Sequence, residues 1–108
     1  MLIIRTNIIP PKGYKAMTVW PFLFVRGLMM PNDYAHEEIH AEQQKELLIV
    51  GFYIWYIVEF LVRLACTRNW HRAYRGISLE REAYGMEGDR EYLSSRKHYS
   101  FIKYFTLW

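Results

Sequence analysis

Residues 34–48 read YAHEEIHAEQQKELL, and the spacing of the two histidines in this stretch governs how the rest of the chain is read. His36 and His40 are four residues apart, so on an α-helix they stack on one face and both imidazoles can reach a common point. Glu37 sits about 100° further round the helix. It borders the histidine face without lying on it, where a general base for a metal-activated water has to be. The stretch is a full HExxH, and the cofactor it predicts is Zn2+. A shuffled chain of this composition contains the pattern roughly one time in a hundred, so a third ligand is needed before it signifies a metal site.

Outward from this helix, Pro31 precedes it, and Asn32 and Asp33 offer side-chain acceptors to free amides at a helix start near Tyr34. The helix is expected to run to about Leu48, with Gly51 as the turn or kink before a second, almost wholly apolar helix from about Phe52 to Ala65. Glu59 and Arg63 stand four apart in that helix and read as a salt bridge on a solvated edge. Residues 67–79 read as a connection with a short helix around His71 to Arg75, ended by Gly76, and Ser78 as the cap of a third helix holding LEREAYGMEG. The stretch from Arg90 to Trp108 mixes bases and aromatics and is expected to be partly helical. On the N-terminal side, residues 2–9 and 18–26 are rich in Ile, Val, Phe, Trp and Thr and read as two short strands joined as a hairpin. Pro21 marks an edge or a bulge. The fold class expected is α+β: a short N-terminal hairpin or small sheet on a mainly helical core of three to four helices, in one domain over residues 1–108.

The third ligand has to come from a distant segment. Gln43 and Glu46 stand where a metzincin arrangement needs a glycine and a ligand, and Glu46 points away from the His36/His40 face. The remaining candidates are Glu80, Glu82, His71 and His98. In a helix from Ser78, Glu80, Tyr84 and Glu87 share one face and Glu82 lies nearly opposite, with Ala83 small enough to let another helix approach. This orders Glu80 before Glu82 and places His71 behind both.

HEEIHAEQQ followed, after an apolar helix, by EREAY resembles the gluzincin class of zinc metallopeptidases, most closely its membrane-linked groups that pair HExxH with a downstream ExxA motif. The resemblance covers roughly residues 34–88. It implies His36, His40 and Glu80 as metal ligands, Glu37 as the catalytic glutamate, and a zincin-like fold reduced to little more than the metal core. One departure stands out: those groups carry an acidic residue four positions after the third ligand, where this chain has Tyr84. A phenol can donate or accept a hydrogen bond but brings no negative charge. Glu87, one turn on, is a substitute. The implied reaction is hydrolysis of a peptide bond with Glu37 moving the proton, with Tyr84, Tyr74 and His98 as candidate donors to the oxyanion and the strand from Val19 to Val25 as an edge for an extended substrate.

Composition bounds the partners. The 108 residues are 52% hydrophobic and 18% aromatic, which excludes a disordered chain. The net charge of +3 comes from scattered bases and does not describe a nucleic-acid interface. A single cysteine, Cys66, excludes an internal disulfide. The start MLIIRTNIIPP lacks an apolar run of signal-peptide length, so the expected location is cytoplasmic or membrane-associated. Residues 47–65 approach the length of a bilayer span, yet Glu59, Arg63 and the tyrosines favour a buried core helix. The terminal RKHYSFIKYFTLW fits either a membrane surface or packing into the core, and packing is preferred. The partner expected is a peptide or protein substrate. The function alternatives are a catalytically inactive metal-binding or regulatory module of the same fold, and a structural protein without metal.

Overall fold

A computed structural model describes residues 1–105. Three strands, β1 (Leu2–Arg5), β2 (Ala16–Val19) and β3 (Phe22–Val25), form a sheet of order β1-β3-β2. The α+β arrangement expected from the sequence, a small sheet packed on helices, is observed. The joining differs. Residues 18–26 are not one strand, because Trp20 and Pro21 form the tight turn of a β2–β3 hairpin, with a cis peptide between them. β1 pairs with β3 in parallel, Leu2 beside Phe22 and Arg5 beside Val25. Arg26 ties down the crossover between β1 and β2 by donating to the Pro10 carbonyl at 2.9 Å and to that of Asn7.

The helix α1 (Pro31–Thr67) starts three residues earlier than expected. Pro31 occupies its first position, where a missing N–H costs nothing, and the Asp33 carboxylate accepts the Met30 amide at 2.9 Å. The bend falls at Leu48 (φ 53°, ψ 104°) and not at Gly51. β2 fixes that position: Gln44 before the bend and Tyr53 after it both donate to the Thr18 carbonyl, each at 2.6 Å. α1 is thus two limbs, residues 31–47 and 49–67.

The short helices α2 (Trp70–Gly76) and α3 (Ser78–Met86) fold back on α1, followed by α4 (Tyr92–Ser95) and a 3-10 turn, Ser100–Tyr104. Asn69 caps α2 by accepting the Arg72 amide at 3.0 Å. Phe52, Ile77, Leu79 and Phe101 make the main buried cluster, each side chain contributing about 1.5–3 kcal/mol on burial. The terminal stretch therefore packs through Phe101. Its last three residues, 106–108, lie outside the described residues.

Two expectations about the second limb are overturned. Glu59 and Arg63 are not a solvated edge: they are 7% and 2% exposed, and Glu59 accepts the Ser78 amide (2.8 Å), the Ser78 hydroxyl (2.7 Å) and the Arg63 Nε (2.8 Å). Spacing of four is the same on either side of a helix, and here the start of α3 needed an acceptor. Nor is the limb buried on every side, although Phe52 on it belongs to the main cluster and Trp55, Tyr56 and Phe60 pack against that cluster. α1 is long and apolar enough to cross a membrane by length and composition, and only 17% of its most apolar 18-residue window is buried.

Candidate metal centre

The first limb of α1 turns His36 and His40 inward, where they are 6% and 5% exposed. α3 brings Glu80 to them from the other side, itself buried, with Ala83 fully buried beside it. Three atoms converge. Glu80 Oε1 lies 3.0 Å from His36 Nε2 and 3.1 Å from His40 Nε2, and the two nitrogens are 3.1 Å apart. Ligands bound at about 2.0–2.1 Å around a tetrahedral zinc stand about 3.3 Å from each other. The donor triangle has nearly that size, and three lone-pair atoms so close repel unless a proton or a metal ion lies between them. His36, His40 and Glu80 therefore form a buried group that can hold a metal ion.

A proton on His40 competes with a metal ion for this place. Burial disfavours a charged His40, but the adjacent Glu80 carboxylate outweighs it and lifts the imidazole to about 9. Burial also opposes ionisation of Glu80, yet His40 and His36 hold its carboxyl well below the usual carboxylate range.

Two of the three donors, Glu80 and His40, are held from behind. Tyr56 donates to Glu80 Oε2 at 2.6 Å, which leaves Oε1 for the imidazoles. Gln43, fully buried, donates its amide to the Leu79 carbonyl (3.0 Å) and to Glu82 Oε1 (2.9 Å), so its own Oε1 faces His40 Nδ1 at 2.8 Å. That oxygen can only accept, which puts the proton on Nδ1 and leaves the Nε2 lone pair for the centre. His36 Nδ1 is 3.7 Å from Glu87 Oε1, and the Tyr84 ring stands edge-on to the His36 ring at 4.3 Å.

The other candidates are placed elsewhere. Glu82 turns away and accepts from Arg96 Nε and from the Tyr92 hydroxyl, both at 2.5 Å, while Arg96 also reaches Glu46 at 2.6 Å. Burial would raise the Glu82 carboxyl, but Arg96 and Tyr92 keep it below its ordinary value. His71 is exposed, and His98, 89% exposed, pairs with Glu46 at 3.3 Å. Tyr74 lines the cavity beside the centre, and its hydroxyl is 2.9 Å from that of Tyr84. The strand from Val19 to Val25 is not an edge, because β3 is the central strand. The edge over the cavity is β2, and its Thr18 carbonyl is already held by Gln44 and Tyr53.

Glu37 faces the same cavity and accepts the Thr18 hydroxyl on Oε1 at 2.8 Å. The cavity is about 330 Å³, and aromatic side chains including Tyr14, Phe52, Phe60 and Trp70 form much of its wall. Among the described residues, the only carboxylates and imidazoles lining it are His36, Glu37, His40 and Glu80. Sequence reading missed Gln43, Tyr56 and Thr18. Gln43 carried a usable signal, since it stands one turn after His40 on a neighbouring face. Thr18 and Tyr56 act across long separations and carried none. Comparison with protein-family models, curated proteins and solved structures finds no match to this chain.

Proposed function

We propose that the chain is a small zinc-dependent peptidase in which His36, His40 and Glu80 hold the ion and Glu37 is the general base. The observation that carries this reading is the convergence of the three donor atoms within 3.1 Å, with the Glu37 carboxylate on the wall of the same cavity. When bound, zinc supplies Lewis acidity, acidifying water and polarising a carbonyl.

The protein's own groups do the rest. Thr18 holds Oε1 of Glu37, which leaves Oε2 to take the proton from the attacking water and pass it to the leaving amine as the C–N bond breaks. Gln43 and Tyr56 keep His40 and Glu80 in their binding orientations. Tyr74, which lines the cavity and has its hydroxyl 2.9 Å from that of Tyr84, is the candidate donor to the developing oxyanion. The aromatic wall favours a substrate with an apolar side chain next to the bond cut.

The test pairs metal analysis with turnover. Wild type and Glu37→Gln should each retain one zinc per chain, while hydrolysis of peptides with large apolar residues falls about 10²–10⁴-fold in the variant. Zinc bound by both and hydrolysis by neither would make the chain a metal-binding module instead.

A further inference from the structure

The second limb of α1 has its polarity turned outward to inward. Val50, Ile54, Ile57, Val58, Leu61 and Val62 are each 53–72% exposed, and their spacing puts them on one side of the helix. The charged residues of the same limb, Glu59 and Arg63, are buried on the opposite side, satisfied by each other and by Ser78. A helix on a globule in water has the reverse arrangement. The ends of the stripe are basic and aromatic. Lys45, against the Trp20 ring at 5.3 Å and paired with Glu42 at 3.6 Å, stands at one end; Arg68, Trp70 and Arg72, all exposed, stand at the other and supply most of the basic character. Between residues 44 and 75 the exposed Lys, Arg, Asp and Glu side chains are all bases, Lys45, Arg68, Arg72 and Arg75, whereas the acids Glu46 and Glu59 have their side chains 4% and 6% exposed.

We propose that this face rests in the surface of an anionic lipid bilayer, with the limb lying in the membrane plane. A protein partner is matched by aromatic and Arg anchors and by about one hydrogen bond per 100–200 Å². The stripe is aliphatic and carries no side-chain donor or acceptor, whereas Trp, Lys and Arg at its ends are the residues that settle at the headgroup level. The limb is about 28 Å long, but its inner side is packed on α2 and α3 with a buried ion pair, which fits a helix lying in the surface and not one crossing it. Ile57 and Trp70 belong both to the exposed face and to the wall of the cavity, so this orientation sets the cavity mouth against lipid. The proposal stands on the stripe and its flanks and does not depend on peptidase activity.

The full chain should float with vesicles of phosphatidylcholine and phosphatidylglycerol (3:1), bind phosphatidylcholine alone more weakly, and lose part of its binding at high salt. The variant carrying Val50→Ser, Ile54→Ser, Val58→Ser and Leu61→Ser, none of which lines the cavity, should partition about tenfold or more less into those vesicles while keeping its zinc stoichiometry. If that variant does not fold, Val58→Trp gives the same answer: the emission it adds over wild type, which has four tryptophans of its own, should be quenched by brominated lipid. Wild type remaining in the aqueous fraction with both vesicle types overturns the proposal. So does a dimer formed without lipid that the serine variant converts to monomer, because a second copy then covers the face.

Discussion

His40 Nδ1 donates to Gln43 Oε1 at 2.8 Å, and the Gln43 amide is anchored in turn to Leu79 and Glu82. This chain of contacts fixes the tautomer of a candidate ligand from a residue outside the donor triangle. Replacing Gln43 with Leu should leave zinc bound at one per chain but weaken its affinity about 10–100-fold, read by competition with a chromophoric chelator. An unchanged affinity would mean that packing alone orients His40.

Zinc should act as a stabiliser of the folded chain. At a hundredfold excess over its Kd, a ligand of the native state contributes about 2.7 kcal/mol, or about 10–20 °C in Tm for a domain of this size. A melt with zinc against one with EDTA measures it. Glu80→Gln, which removes the anionic member of the donor triangle, should abolish the shift; Glu38→Gln, at an exposed position of α1, should keep it.

Arg96 bridges two carboxylates whose side chains are 4% and 0% exposed, Glu46 and Glu82. Arg96→Met leaves both charges buried without it, and the expected loss is about 3–5 kcal/mol in urea unfolding. A loss below about 1 kcal/mol would show that the pair is readily hydrated in solution.

Gly76 ends α2 directly against Arg63. A Cβ there would come within 3.1 Å of Arg63 Cδ, and Arg63 cannot easily move because Glu59 holds its Nε at 2.8 Å. Gly76→Ala should therefore destabilise by about 1–3 kcal/mol, seen as a lower denaturation midpoint with an unchanged slope.

Much of the helical frame was legible because local signals set it. Gly76 stops α2 where expected, and a period of 3.6 alone separates Glu80, which reaches the histidines, from Glu82, which reaches Arg96. The sheet was less legible: β1 pairs with β3 across an intervening strand, and no local pattern encodes a parallel partner. The inverted polarity of the second limb was hidden for another reason. Glu59 and Arg63 look alike at a surface and in a core, and only the arrival of Ser78 from α3 decides which side of the helix faces in.

The bend at Leu48 gives the two limbs the geometry of a pair of pincers. His36 and His40 ride on one jaw, while Glu80 is fastened to the other, because Ser78, two residues before it, is bonded to Glu59. The angle at a single leucine thus sets how far the donors on the two jaws stand apart.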